Sequence, residues 1–527
     1  EEFRRIVGVI NQRKIPSFSM YGESEVRKGL LLGLAQESSV EHLARQVGIN
    51  VRRIFEGEMP STFPVAFSLG ERISLNMDTA RQIGFSPSWD LMTEGLLIES
   101  EISTAKHRTS LSELTDELLR TALEIRIQNF ATDKDRQNLS IAWSHWFPRV
   151  DVGATQVIVD PKDVMMGMNT ERSVSGKMTL TQVIFSEQIL TNIGVQRDLH
   201  KANKSHVDEV ALDAVKNGLN TYLNVLRSKR LERIRQETLL LIRSHLETAK
   251  IRRRVGIGQS GEIHRWNGEI ANARSQLIDA LSTRHSAQIA FNRILARPLE
   301  DTFLTEEVSL EDPIFKKHLM SFLDATSTPK RLTLFCDFVV AQYLSSLPEL
   351  RRLDAFIEVQ ERMVGSSFRS FWSPTIGVQG EVTRNFDRSG VGSEAPPIGG
   401  DVNWNVGFNV TFPVFNGGQR IAKVRQAKAG LAELKLQREN AGSLLQQRIR
   451  TAVYRANNSG LGIGFASDAA SASRQNLAIV RDAYARGVVS ILSLLDAQNN
   501  LVIADESAGD AIYKFFLDMV EVERSMG

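Results

Sequence analysis

The chain has 527 residues, 42% of them hydrophobic and 24% charged, which is enough for more than one structural unit and a sizeable core. Lys+Arg 64 against Asp+Glu 62 leaves a formal charge of only +2, so there is no basic field of the kind that holds nucleic acid. The single cysteine, Cys336, excludes an intrachain disulfide or a multi-cysteine metal site and reads as a buried small apolar residue; no stretch approaches the roughly 20 apolar residues of a spanning helix, which excludes an inner-membrane pump and leaves strands closed into a barrel as the route through a membrane.

The chain opens at Glu1 without a methionine, which leaves room for a removed signal peptide; export is not legible from the sequence directly. Residues 1 to 95 form a segment of their own, running through Ile15-Pro16-Ser17-Phe18 and Gly29-Leu30-Leu31-Leu32-Gly33 to Phe67-Ser68-Leu69-Gly70 and Ile83-Gly84-Phe85-Ser86-Pro87. Gly29 and Gly33 fit no phosphate-loop pattern and read as packing positions.

From residue 96 onward the sequence follows one script twice. A helical stretch ends in Trp143, Trp146, Phe147 and Pro148, an alternating run Val150 to Val159 follows, and a second run ends at Phe185. A long helix then spans about Gln188 to Arg252, with Val207, Val210, Ala211, Ala214, Leu219, Tyr222, Val225 and Leu226 at helical spacing, and breaks at Arg254-Val255-Gly256. Such a helix of ~65 residues extends on the order of 100 Å. The basic run Arg252-Arg253-Arg254 reads as a solvated helix tip, with an adaptor contact as the sharper reading.

The second copy begins near residue 326. Phe371, Trp372, Ser373 and Pro374 precede the run Ile376 to Phe386; a further run ends at Phe415, and Ile421, Val424, Ala427, Leu431, Leu434, Ala441, Leu445 and Val453 open another long helix, broken at Arg486-Gly487-Val488. Pro148 and Pro374 lie 226 residues apart, Phe185 and Phe415 lie 230 apart, and Gly256 and Gly487 lie 231 apart. In the clearest strand Trp404, Val406, Phe408, Val410 and Phe412 alternate with Asn403, Asn405, Gly407, Asn409 and Thr411, the two-faced pattern of a lipid-facing barrel strand over a wet interior. Four strands cannot close around a pore, so several chains must contribute. The narrow helical stripes predict coiled-coil partners rather than a cofactor box.

The segments Phe412 to Gly418 leading into Gln419 to Val424, Tyr484-Ala485-Arg486-Gly487 running to Leu494 through Leu501, and Leu347-Pro348-Glu349-Leu350-Arg351 resemble the TolC-type outer-membrane efflux family over roughly residues 95 to 527. The resemblance implies a mainly α fold with β. It comprises a long α-helical coiled-coil barrel, a transmembrane β-barrel of twelve strands shared between three subunits, and two tandem repeats, at 96–325 and 326–527, each with a β-hairpin. It also implies partners: a homotrimer, a periplasmic adaptor protein, an inner-membrane pump and outer-membrane lipid. In the family, acidic side chains six and nine residues after the turn glycine narrow the periplasmic entrance. Here those positions are Glu262 and Arg265 in the first copy, Ser493 and Asp496 in the second, so Glu262 and Asp496 are the constriction candidates while Arg265 and Ser493 depart from the acidic pattern. Gly256, Tyr484, Arg486 and Gly487 mark the helix-turn tips and adaptor contact. Tyr484 matches a tyrosine that joins a closing network in some members, but the partner arginine position is Val489, so that network is expected to be missing. Residues 1–95 are similar to the carboxy-terminal part of ABC-transporter substrate-binding proteins, implying a small α/β remnant.

No His-Glu-x-x-His, Gly-x-Ser-x-Gly or phosphate-loop motif occurs, so neither an enzyme, a metal nor a cofactor is expected. His145, Trp143, Trp146, Phe371 and Trp372 read as the aromatic end of a barrel at the membrane surface. The expected function is a passive outer-membrane exit duct reaching into the periplasm, in tripartite efflux or type I secretion. The alternative is a periplasmic ligand-binding receptor that uses the amino-terminal lobe, with the long helices as scaffold.

Overall fold

The computed structural model of the chain describes residues 2–21, 23–36, 71–98, 107–165, 168–254, 258–306, 320–394 and 400–527, with isolated positions between 47 and 60. The amino-terminal lobe runs α1 (Glu2–Gln12), β1 (Phe18–Ser19), α2 (Glu23–Val26), β2 (Leu32–Gln36), β3 (Glu71–Asn76), α3 (Met77–Ile83), α4 (Trp89–Glu94) and β4 (Leu96–Ile98). Then come β5 (His107–Thr109), α5 (Leu111–Thr121), α6 (Leu123–Ser144), β6 (Arg149–Ile158), β7 (Arg172–Phe185), α7 (Glu187–Arg254), α8 (Ser260–Ile294) and β8 (Phe303–Thr305). The rest is α9 (Pro329–Tyr343), α10 (Pro348–Arg369), β9 (Thr375–Ser389), β10 (Val402–Thr411), α11 (Gln419–Ala485) and α12 (Ile491–Met526). Helices dominate, and none is long and apolar enough to cross a membrane among the described residues. Contacts divide the chain into two compact units that each draw on both halves: Glu1–Leu118 with Asn217–Asp324 and Ala456–Asp518, and Leu119–Lys216 with Ala325–Arg455 and Met519–Gly527.

In the first unit, the lobe is a four-stranded sheet in the order β1-β2-β3-β4, parallel at both ends and antiparallel between β2 and β3. Its core is Leu31, Leu75, Ala80 and Ile83. Asn76 caps α3 through its side chain, which accepts from the Thr79 amide, and donates its Nδ2 to the Val26 carbonyl, so one residue ties helix start to sheet. Gly29 is a packing position as expected: φ is +113°, and a Cβ there would sit 3.0 Å from Val7 Cγ1. Two arginines fasten the lobe to the long helices. Arg243 of α7 donates to the carbonyls of Thr93 and Glu94 at 2.7 Å each, and Arg274 of α8 donates to Asp90 at 2.6 Å and to Thr93 Oγ1 at 2.8 Å. Cations at the carboxy-terminal end of α4 satisfy its last carbonyls.

The first unit also holds a short parallel pair, β5 with β8, bridged by the Tyr222 hydroxyl at the carbonyls of Thr109 and Glu306. Tyr222 stacks on Phe291, and Phe291 on Phe303. Burial, with Glu306 nearby, pushes the Tyr222 pKa up to about 12, so the phenol stays a donor.

The second unit carries one antiparallel sheet of four long strands in the order β10-β9-β7-β6. Its register sorts the side chains by face. One cross-strand row reads Trp404, Val382, Met178 and Val152; the next reads Val406, Gly380, Leu180 and Val150. The opposite face carries Asn405, Glu381, Thr179 and Asp151, then Asn403, Thr383, Lys177 and Gly153, with Lys177 and Glu381 paired at 2.7 Å. The sheet is therefore apolar on one side and polar on the other, as the alternation predicted. All of β6 and β10 is exposed. Trp404, Val406, Phe408 and Val410 are 74, 67, 68 and 54% accessible. Strand β10 ends at Thr411, one residue before Phe412, because Pro413 has no amide to continue the ladder.

The second unit is also held by ion pairs. Arg524, near the end of α12, donates to Asp213 at 2.7 Å and Glu349 at 2.8 Å. Glu521, one turn earlier, meets Lys216 at 2.6 Å and Arg448 at 3.0 Å; burial pulls its pKa upward, but the two cations outweigh it and hold the carboxyl below the usual range. Cys336 is buried, as expected.

Candidate functional site: the helix-turn tips

The site sits in the first unit, where α7 turns into α8 and α11 into α12. The second turn is built by backbone alone. Gly487 takes φ +79°, its amide donates to the Tyr484 carbonyl at 2.9 Å, and the Val488 amide donates to the Ala483 carbonyl at 2.9 Å. This paired closure ends α11 and needs a residue that tolerates the left-handed region. Arg486 is exposed and pairs with Asp482 one turn back at 2.6 Å. In the first turn, Gly256 lies outside the described residues; beyond it the Gly258 amide closes onto the Arg252 carbonyl at 3.1 Å.

Around these turns lies a core of Leu239, Ile242, Leu246, Trp266, Tyr484 and Leu494 with their neighbours. Glu262 and Trp266 are four residues apart on α8 and so share a face. Tyr484 donates its hydroxyl to Glu262 Oε2 at 2.8 Å, Arg252 Nη1 lies 3.3 Å from the same oxygen, and the Arg252 guanidinium stands 4.1 Å from the centre of the Tyr484 ring. Trp266 Nε1 approaches the Tyr484 hydroxyl at 3.5 Å. Burial, reinforced by the Glu262 carboxylate, raises the Tyr484 pKa; the phenol keeps its proton and serves as donor. Beneath, His245 stacks on Trp266 with ring centres 5.1 Å apart and is 1% exposed. Burial first, and Arg481 second, lower the His245 pKa to about 4, so it is neutral at neutral pH.

Two expectations are corrected here. Arg252 is not a solvated tip residue: at 6% exposure it is inserted between the two turns, while Arg253 and Arg254 do face solvent. A network around Tyr484 is present despite Val489, because its cation comes from Arg252 on the other helical pair. The sequence signal that points to it is the Glu262–Trp266 spacing beside a basic helix end.

The four constriction candidates fall into different surroundings. The Glu262 side chain is 13% exposed and held by the network. Asp496 is exposed and accepts only a long bond from Asn500 at 3.3 Å. Ser493 is exposed and donates its amide to the Ser490 hydroxyl, which caps the start of α12, and Arg265 is exposed. Among the described residues, no group of three or more His, Cys, Asp or Glu is placed to hold a metal.

The chain thus carries a two-faced four-stranded sheet and two long helices of 68 and 67 residues. The chain belongs to the outer membrane efflux protein family, which it matches over residues 114–297 and 341–515. It is therefore an outer-membrane protein extending into the periplasm, of a family of channels rather than enzymes. It is 20% identical over 440 residues to outer membrane protein TolC of Salmonella enteritidis, covering 81% of this chain and 84% of that protein. Its fold resembles that of CusC (TM-score 0.64, 15% identity, 79% of this chain and 92% of the other). It likewise resembles the outer membrane protein VceC of Vibrio cholerae (TM-score 0.63, 14% identity, 79% and 96%).

Proposed function

We propose that the chain is one third of a passive trimeric exit duct, working with a periplasmic adaptor and an inner-membrane pump in tripartite efflux or type I secretion. The observation that carries this is the sheet: its apolar face is exposed, and both of its edge strands, β6 and β10, pair on one side only. Open edges of that length on an apolar sheet require partners in lipid. Three copies supply twelve strands, enough to enclose water. Leu461, Phe465 and Ile479, exposed at coiled-coil spacing on α11, add an unpaired helical seam that neighbouring copies would fill.

In this reading residues 96–325 and 326–527 are two repeats of one design, residues 1–95 are an attached lobe of substrate-binding-protein type, and Trp143, Trp146, Phe371 and Trp372 mark a membrane surface. Gly487, Arg486 and the turn at Gly256 present the adaptor contact. The Arg252, Glu262, Tyr484 and Trp266 cluster holds the two turns of a subunit together in the closed tip. Asp496 supplies the open negative charge of the constriction at the ring position it shares with Arg265, and Ser493 stands at the ring position of Glu262.

Single-channel recording in planar bilayers tests this reading. Asp496→Asn is expected to lower cation selectivity, and Glu262→Gln to raise the closed-state conductance with little change in selectivity. No conductance from the purified wild-type protein would contradict the duct itself.

A further inference from the structure

Between α7, α8 and α12, inside the first unit, lies a cavity of about 450 Å³, within the range of small-molecule sites. Two facing helical stripes build it: Arg227, Arg230 and Ile234 share one face of α7, and Glu506, Gly509, Asp510 and Tyr513 share one face of α12. Its charges pair off with one remainder. Asp510 accepts from Arg227 twice, Nε to Oδ1 at 2.7 Å and Nη2 to Oδ2 at 2.5 Å, and Glu506 lies 2.6 Å from Arg235 Nη2. Arg230 is half-buried and, among the described residues, has no hydrogen-bond or ion-pair partner. A guanidinium drawn out of water without an acceptor is costly, and its donors are left for an occupant of the cavity. Gly509 is what admits it: a Cβ there would collide with Cδ and Nε of Arg230. A glycine inside a helix weakens that helix relative to alanine, so α12 gives up propensity at the one place where Arg230 lies across it. Leu231, Ile234 and Ala287 add an apolar wall.

We propose that this cavity binds a small organic carboxylate, its carboxyl group meeting the Arg230 guanidinium and its apolar body lying on Leu231, Ile234 and Ala287. One unpaired cation sets the polarity of the ligand. A carboxylate gains a charge-assisted hydrogen bond at Arg230, the isosteric amide gains only a neutral one, and a cation meets carboxylates that Arg227 and Arg235 have already taken up. Every lining group comes from one chain, so the site stands independently of whether the chain forms a duct.

Titration calorimetry on the full chain in amphipol, with benzoate as probe and benzamide as its neutral counterpart, decides the matter. Saturable uptake of one benzoate per chain is expected, with the amide weaker by about tenfold or more. Arg230→Gln is expected to weaken benzoate by about tenfold while leaving the amide unchanged. Gly509→Ala favours the helix and keeps the charge but displaces the guanidinium, so it is expected to weaken benzoate too and keeps the test decisive if Arg230→Gln fails to fold. Equal binding of acid and amide, wild-type benzoate binding in either variant, or no saturable binding overturns the proposal.

Discussion

At Tyr484, burial keeps a phenol protonated and one hydrogen bond aims it at Glu262, 222 positions away in the chain, so this residue joins the two helix turns. Tyr484→Phe removes that bond to a charged partner and is expected to destabilise the joined tips by about 2 kcal/mol; Arg252→Ala leaves Glu262 buried without its cation and is expected to cost about 3 kcal/mol. Hydrogen exchange at the turn amides measures both, and unchanged protection in the two variants would dismiss the cluster as a lock. His245 adds a pH dependence with a defined sign. Its folded pKa is depressed to about 4, so its contribution is full above pH 6.5, where both states are neutral, and is lost as pH falls toward 4, where only the unfolded chain binds the proton. The loss reaches at most about 3 kcal/mol. In His245→Phe, thermal midpoints are expected to lose their slope between those pH values, and a slope as steep as wild type would refute it. Glu262 and Tyr484 were singled out through the family resemblance, by counting from the turn glycines. That Arg252 turns inward was not legible, because three consecutive arginines at a helix end carry no mark of which one meets a distant aromatic ring.

Among the elements, β10 and the second turn were the most legible. Period-two alternation fixes which β10 residues share a face, and register with β9 and β7 carries that face across the sheet. Phe408→Arg is expected to cost about 2 to 4 kcal/mol at mid-depth and to lower the protein recovered in the outer-membrane fraction, whereas Asn409→Arg, on the other face, is expected to be recovered as wild type. Equal losses would mean that the faces are not sorted by lipid and water. At the turn, Gly487→Ala places a Cβ in the left-handed region and is expected to lower stability by about 1 kcal/mol, read as a lower thermal midpoint. Less legible was the lobe: its short strands mix parallel and antiparallel pairing, and its docking depends on Arg243 and Arg274, whose acceptors are carbonyls and side chains far away in sequence.

For the whole molecule, the amino-acid pattern predicts a repeated design, and the contacts interleave the two halves: each compact unit takes strands or helices from both, since a helix of 68 residues passes through more than one packing environment. The account depends on the edges β6 and β10 being completed by identical neighbours. Mass measured by light scattering on the detergent-extracted protein, with the detergent contribution subtracted, tests that claim most directly. The account predicts three chains per particle. A particle of one chain, stable with its strand edges unpaired, would contradict it.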